Sequence, residues 1–321
     1  MELFRNVDVD WLGKKWYFLA FSLVFSVAGV FSLLFWHHLP LGVDFKGGTQ
    51  IRVRFDAAPN EDHVRTALSR AGVRDFRIQR ISDPSGQAAN KEIIALPLST
   101  ASDQQHDAGR QEVESALRAN YKDSGFEVEQ VEIVGPTAGR QLQKQALWAT
   151  VYSLLGMLVY LWFRFEFIYG VAAVVAVFHD TLITIGAFSL TNQELTLTVL
   201  AAILTLIGYS MNDTIVVFDR IRENLATNRR EPLGAVVNRS INQTLSRTVL
   251  TSGLTFLTVL SLFLFGGEVL HGFSFALVIG ILIGTYSSIA VAAPMLVAWQ
   301  DWRAGKGKSA VTLPAARRAR A

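Results

Sequence analysis

The sequence predicts an α-helical membrane protein with six transmembrane helices and one small α+β domain outside the membrane. Half of its 321 residues are hydrophobic and 18% are charged, against about 25% charged residues in an average soluble domain. The apolar residues form long runs almost free of charge, whereas one long polar interval carries strand and helix patterns. This distribution excludes a soluble α/β enzyme and a disordered chain. The absence of cysteine excludes a disulfide-stapled module and a thiolate zinc site.

Six segments are long and apolar enough to span a membrane, which requires about 20 mostly apolar residues. They are residues 16–36, 146–163, 167–190, 195–217, 248–265 and 272–299. The first segment is too long for the apolar core of a signal peptide, and no small-residue cleavage site follows it, so we expect it to be retained.

Lysine and arginine predict the orientation, because they are enriched in cytoplasmic loops. They occur in segment 1–15, in loop 218–247 and in the tail 300–321, but not in the short loops 191–194 and 266–271. Both termini are therefore predicted to be cytoplasmic, with the domain at 37–145 periplasmic and a five-helix bundle at 146–299. We expect the basic tail to lie near anionic membrane lipids. The net charge of +3 is too small to indicate nucleic-acid binding.

Residues 49–134 carry the pattern of a ferredoxin-like βαββαβ domain. Alternating residues predict strands, and apolar residues at helical spacing predict helices. In chain order these are strand 50–55, helix 61–71, strands 76–81 and 92–98, helix 107–121 and strand 126–134. The domain contains no nucleophile–base arrangement, metal cluster or phosphate loop, so we predict no enzyme, no metal and no cofactor; the fold alone implies no chemistry.

The first helix is joined to the first strand by Gly42-Val43-Asp44-Phe45-Lys46-Gly47-Gly48, called here the glycine linker. Three glycines and an aspartate predict a tight backbone path with positive φ angles. The linker is either a structured turn that anchors the domain on the membrane or a functional loop. Spacing alone favours the anchoring turn.

The fourth predicted span contains Gly208-Tyr209-Ser210-Met211-Asn212-Asp213-Thr214. An ionised aspartate at the centre of a spanning helix costs about 2.5–3.5 kcal/mol on an insertion scale, and such residues usually mark an ion path. Tyr209 and Asp213 recur at helical spacing, and Gly208 and Asn212 lie beside them. We therefore expect a polar, small-residue helix face that a neighbouring helix approaches closely.

Arg247 begins the fifth predicted span from the same side of the membrane and is within reach of Asp213. Burial disfavours a charged carboxyl whereas a nearby arginine favours it. A carboxyl held between these influences can exchange a proton near neutral pH. The alternative is a fixed ion pair that locks two helices together; we favour the ion-transfer role.

His179 and Asp180 form a second polar site near the middle of the third predicted span. Asp180 shares a helix face with Ala173 and Ala176, and lies about 10 Å further from the cytoplasm than Asp213 at the α-helical rise. Direct pairing of the two aspartates is not expected. Two roles remain open: proton transfer through water, or a hydrogen-bonded His–Asp cluster that fixes packing.

A helix lying along the membrane surface is predicted before the fifth span, over residues 232–247. It is predicted because four apolar residues fall on one helix face. These are Leu233, Val237, Ile241 and Leu245.

Several of these segments resemble the SecF family, the smaller subunits of bacterial SecDF protein-export complexes in the resistance–nodulation–division superfamily. The resemblance covers nearly the whole chain. It rests on the glycine linker, the run from Gly208 to Asn224, and three short motifs. Those motifs are Val134-Gly135-Pro136, Phe178-His179-Asp180 and Ser246-Arg247-Thr248.

The resemblance implies an activity and a set of partners. The chain would pair with SecD in a twelve-helix bundle beside the SecYEG channel, together with YajC. The complex would use the proton-motive force to pull unfolded preproteins across the inner membrane, with Asp213 and Arg247 in ion transfer. The coupling ion would be H⁺, with Na⁺ as the alternative. Two alternative functions remain open: half of an ion-coupled exporter of small molecules or lipid, and a passive scaffold of the channel.

Overall fold

A computed structural model of the chain describes residues 8–80, 90–96, 108–165, 167–227 and 231–305. Six helices in these ranges are long and apolar enough to cross a membrane, which confirms the predicted number. They are Lys15–Trp36, Pro136–Arg164, Phe167–Leu190, Leu197–Thr227, Leu233–Phe265 and Val269–Trp302. The first seven residues and most of the basic tail, from residue 306 onward, lie outside the described part.

The elements follow in chain order. The first part of the chain comprises α1 (Lys15–Phe31, extended by a π-helical turn at Ser32–Trp36), α2 (Val43–Lys46), β1 (Gly48–Phe55), α3 (Glu61–Arg70), β2 (Arg77–Arg80), β3 (Lys91–Leu96), α4 (Ala108–Asn120) and β4 (Phe126–Val134). The bundle comprises α5 (Pro136–Arg164), α6 (Phe167–Leu190), α7 (Leu197–Thr227), α8 (Leu233–Phe265), α9 (Gly267–Ser287, extended by a π-helical turn at Ser288–Ala292) and α10 (Ala293–Gly305).

The α/β domain is a four-stranded antiparallel sheet in the order β2-β3-β1-β4. Its apolar core consists of inward-facing strand residues and the apolar faces of α3 and α4. Ile51, Val64, Leu68, Ile94 and Leu117 are fully buried in it. This core is separate from that of the bundle. The element order and pairing confirm the ferredoxin-like prediction, and the residues of the inner strands β1 and β3 alternate between buried and more exposed positions.

Two predicted helix boundaries differ substantially from the structure. α5 begins at Pro136, before the predicted span, and α7 continues to Thr227. The predicted surface helix is wrong: residues 233–247 form the first part of α8, which runs unbroken to Phe265. Val237 and Ile241 are fully buried in the bundle core rather than lying on a membrane surface. The apolar face was real, but it packs on α7 and not on lipid.

Helices α6, α7 and α9 form the centre of the bundle, whereas α1 and α5 expose most of their large apolar side chains. Small residues allow the close packing. A Cβ atom on Gly186 of α6 would lie 2.6 Å from the Cα atom of Gly29. A Cβ atom on Gly284 of α9 would lie 3.0 Å from the Cβ atom of Ser210. The second contact brings α9 against the polar part of α7.

Candidate ion site and its link to the α/β domain

Asp213 is buried inside the bundle, with 3% of its surface exposed. Its Oδ2 atom accepts a hydrogen bond of 2.6 Å from the Ser252 hydroxyl of α8. Ser252 is the one hydrogen-bond donor that the described residues provide for this carboxyl. The sequence predicted a carboxyl held between the influences of burial and of Arg247, and it missed the serine that contacts Asp213.

Arg247 does not form an ion pair with Asp213. It lies on the adjacent helix, close enough to attract the carboxylate, yet its own side chain is exposed. The fixed ion pair considered from the sequence is thus not present in this conformation.

Asp180 is the centre of a hydrogen-bond network that joins three helices. Its Oδ2 atom accepts hydrogen bonds from the Ser210 hydroxyl of α7 at 2.5 Å and from the Ser287 hydroxyl of α9 at 2.7 Å. The Nδ1 atom of His179 lies 3.0 Å from Oδ1. Asp180 is 1% exposed. The arrangement matches the packing cluster of the two roles left open, and it brings Asp180 within one helical turn of Asp213 through Ser210.

The expected close approach to Gly208 is not made within this chain. Gly208 and Asn212 are exposed and Tyr209 is half-buried, and nothing lies within 4 Å of the position that a Cβ atom on Gly208 would occupy. The prediction of a polar, small-residue face is right for Gly208 and Asn212 but wrong in placing Asp213 on it. Asp213 instead points into the bundle, one turn from Ser210.

Other buried polar atoms near the two aspartates lack hydrogen-bond partners among the described residues. They are the hydroxyls of Tyr209 and Thr248 and the Nε2 atom of His179. A buried hydroxyl without a partner is costly unless water or a change of conformation satisfies it. Thr248 is one helical turn from Ser252, so an alternative hydroxyl is available along the same face of α8.

The glycine linker connects the α/β domain to the first residues of α7. Asp44 Oδ2 accepts a hydrogen bond of 2.8 Å from the backbone N–H of Leu197. The Gly42 N–H donates to the Leu195 carbonyl at 2.9 Å. Gly47 and Gly48 have φ angles of 74° and 154°, which confirms the predicted positive φ angles.

Glu194 forms the ion pair between the bundle and the far edge of the sheet. Its Oε1 atom lies 3.3 Å from Arg77 Nη1 on β2. Burial raises the pKa of Glu194, and the nearby Arg77 guanidinium opposes that rise. Beside this pair, a cavity of about 510 Å³ lies between the helix-free face of the sheet and the ends of α7 and α9. Sequence reasoning missed Glu194 because nothing in a four-residue loop indicates which strand it faces.

No group of three or more histidine, aspartate or glutamate side chains within the described ranges could hold a metal ion. The side chains that contact the two buried aspartates carry hydroxyl and imidazole groups.

Two protein-family models match this chain. The family model for the C-terminal part of the protein-export membrane proteins SecD and SecF matches residues 112–302, more than half of the chain. The model of the SecD/SecF GG motif matches residues 37–59, which include the glycine linker.

Two relatives are named protein translocase subunit SecF. The subunit from Koribacter versatilis is 52% identical, and the match covers 99% of this chain and 98% of the relative. The subunit from Calditerrivibrio nitroreducens is 42% identical, with 92% and 96% covered. A crystal structure of SecDF from Thermus thermophilus, described as a translocon-associated membrane protein, matches with a TM-score of 0.80 and 36% identity over 92% of this chain. SecDF in a super-membrane-facing form matches with a TM-score of 0.68. This chain spans about two fifths of those SecDF chains (39% and 40%).

The fold and the buried carboxyls define a multi-pass membrane protein of the protein-export class, with one ferredoxin-like domain inserted after its first helix. Within that class, the full-length matches distinguish the two subunit types. The chain belongs to the SecF family of protein translocase subunits.

Proposed function

We propose that this SecF-family chain couples ion movement through the bacterial inner membrane to the late stage of preprotein export. Asp213 carries the ion, expected to be H⁺ with Na⁺ as the alternative, and Arg247 responds to the charge on Asp213. Both termini are cytoplasmic and the α/β domain is periplasmic. The chain acts as a transport subunit and not as an enzyme, and it uses no cofactor.

The observation that carries this proposal is the incomplete hydrogen bonding of a buried carboxyl. Asp213 has a single serine donor and an arginine close by that is not bound to it. A carboxyl inside a membrane bundle that is held by a single donor can exchange partners without breaking a wider network, and intramembrane carboxyls usually mark ion paths. Its membrane depth also allows the potential to act on it, at about 2.3 kcal/mol per charge per 100 mV.

SecD is the partner that fits the exposed polar face of α7. Thr205, Gly208 and Asn212 follow one another along this face and remain exposed in the single chain. Small and hydroxyl-bearing residues are typical of helix–helix contacts in membranes. We place the SecD helices on this face, and place SecYEG, YajC and the unfolded preprotein as further partners of the assembled complex.

The test is preprotein export in cells whose only copy of this subunit carries Asp213→Asn. Membrane abundance and association with SecD are measured in the same cells. We expect export to fall at least about tenfold with normal assembly, because the isosteric amide keeps a hydrogen bond to Ser252 but cannot change charge. Asp219→Asn is the matched control, since Asp219 lies on the same helix but is exposed and pairs with Arg164.

Two outcomes favour the other readings. Normal export with Asp213→Asn supports the passive scaffold and ends the ion role of Asp213. Retained preprotein export together with loss of small-molecule or lipid efflux supports an exporter half. Export measured with and without Na⁺ at a fixed membrane potential then distinguishes the two coupling ions.

A further inference from the structure

Both buried carboxyls of the bundle act on α7. Asp213 is part of this helix, and Ser210, about one turn before it, donates a hydrogen bond to Asp180. A change of charge at Asp213, or of hydrogen bonding at Asp180, therefore acts directly on α7. Leu197, the first residue of α7, lies about 24 Å from Asp213 at the α-helical rise. α7 is unbroken between the two residues.

The start of α7 is held by a residue that belongs to the α/β domain side of the chain. Asp44 accepts the Leu197 N–H, although 153 positions separate the two in sequence. A backbone hydrogen bond nearby joins the same two segments: the Leu195 N–H donates to the Pro40 carbonyl at 2.7 Å. The glycine linker and the first turn of α7 are thus one connected unit.

The hydrogen bond that Asp44 accepts from Leu197 is additional to a local helix cap. Thr196 immediately precedes α7, and its hydroxyl oxygen accepts the Val199 N–H at 3.3 Å, as a local N-cap residue does. Asp44 therefore adds a connection between two parts of the molecule to a helix that already has its own cap. A carboxylate at a helix N-terminus is also favoured by the helix dipole.

The glycine linker also makes close contacts with α5 and with the sheet. The side-chain amide of Gln143 on α5 donates to the Phe45 carbonyl at 2.8 Å. A Cβ atom on Gly139 would lie 2.8 Å from the same carbonyl oxygen, so α5 and α2 are in close backbone contact. At Gly48 a Cβ atom would meet the Leu96 carbonyl oxygen at 2.4 Å. Since β1 begins at Gly48, the linker passes directly into an inner strand of the sheet.

We propose that Asp44 is a positioning residue for the ion-coupled step, because its carboxylate joins the ion-carrying helix α7 to the α/β domain. A shift of α7 that follows a change at Asp213 is delivered through Leu197 and Asp44 to the glycine linker, and from there to β1. This inference rests on the proposed function, in which Asp213 changes charge. It adds the physical connection by which that change reaches the domain outside the membrane.

The experiment measures the distance between the domain and the bundle with two spin labels on the full chain, purified with its SecD partner in lipid nanodiscs. The sequence has no cysteine, so Ser69→Cys on α3 and Thr191→Cys after α6 provide two labelling sites, both exposed. The first set has four chains: the labelled parent, Asp213→Asn, Asp44→Ala, and the double variant. The same set is repeated with Asp44→Asn and with Thr196→Ala in place of Asp44→Ala. The readout is the change in distance caused by Asp213→Asn.

We expect Asp213→Asn to shift the distance distribution in the parent, and the same substitution to produce less than about a third of that shift when Asp44 is alanine, as a coupled pair requires. Asp44→Asn keeps an oxygen that can accept the Leu197 N–H, so it retains most of the shift. Thr196→Ala removes the local cap of the same helix. It controls for simple destabilisation of the first turn and also retains the shift.

A full shift in the Asp44→Ala chain overturns the role of Asp44 and leaves the proposed function intact. An equal loss of the shift in Asp44→Ala and Thr196→Ala shows a structural effect on the helix start and also overturns it. A parent chain in which Asp213→Asn produces no shift contradicts the movement on which both proposals depend.

Discussion

The bundle and the α/β domain each bury carboxyl groups, but they provide them with different numbers of hydrogen-bond partners. In the bundle, Asp180 meets three polar side chains and Asp213 accepts one hydrogen bond. In the domain, Glu92 is completely buried, and neither of its oxygens has a hydrogen-bond partner in the described part of the chain. The three sites form a series in which burial is similar and hydrogen bonding decreases.

We expect this series to separate a structural carboxyl from carboxyls that can change protonation state. Donors from two neighbouring helices fix the position of a carboxyl, so Asp180 links α6 to α7 and α9. A single donor leaves Asp213 able to exchange partners. A buried carboxyl with no donor resists ionisation, so Glu92 should respond to pH within its own domain.

The largest effect is expected at Asp180. Asp180→Leu leaves the Ser210 and Ser287 hydroxyls and His179 without their acceptor in the bundle core, and we expect a loss of about 3 kcal/mol of stability at about 1 kcal/mol for each group. Asp213→Leu removes one hydrogen bond and should cost about 1 kcal/mol. Thermal unfolding of the two variants and the parent in the same detergent measures the difference.

The two substitutions should impair export for different reasons. Asp213→Leu is expected to abolish export while the subunit remains folded and bound to SecD. Asp180→Leu is expected to reduce the amount of folded subunit, with export falling in proportion. Equal unfolding temperatures for the two variants would show that the serine donors of Asp180 contribute little, and the contrast between the two sites would fail.

A smaller effect is expected at Glu92, and it depends on pH. Burial raises the pKa of Glu92 from 4.5 to about 7; Arg80 and Arg65 act against this rise, and Glu61 adds to it. Below pH 4.5 both the folded and unfolded domain hold the proton, and burial of the carboxyl carries no ionisation cost. Between 4.5 and 7 only the unfolded chain loses the proton, so domain stability falls as pH rises through this window. The total change is about 3 kcal/mol.

Hydrogen exchange of the β3 backbone in the intact protein measures this loss. The parent should exchange faster as pH rises toward 7, after correction for the intrinsic pH dependence of exchange, and Glu92→Gln should not show the corrected increase. Glu132→Gln is the matched control, because Glu132 lies on the same sheet but is exposed. A control variant that removes the increase as completely as Glu92→Gln would assign the pH response to the general charge of the domain.

The sequence was sufficient for the elements but not for the contacts between them. Alternation in residues 126–134 and helical spacing in residues 61–70 predict their structure because each element buries one face locally. The partners of Asp180 could not be predicted in the same way. Serine is common on every face of a membrane helix, and whether Ser210 or Ser287 reaches Asp180 depends on the rotation of α7 and α9. The course of residues 233–247 was missed because an apolar face does not reveal whether lipid or α7 covers it.

The smallest effect is expected where the two regions meet, at Glu194 and Arg77. Burial raises the pKa of Glu194, while Arg77 and Lys46 act against the rise, so the docked domain binds this proton more tightly than the undocked one. Docking is therefore strongest below the ordinary glutamate pKa and weakens as pH rises through the raised value. The change should be about 1 kcal/mol or less, since the Arg77 side chain is 43% exposed.

The Ser69–Thr191 spin-label distance, followed from acid to neutral pH, measures this change in docking. Glu194→Gln should make the distance independent of pH, and Arg77→Gln should increase the separation at neutral pH, because the buried carboxylate then has no guanidinium beside it. If the distance in Glu194→Gln still follows pH as in the parent, the domain responds through Glu92 rather than through its contact with the bundle.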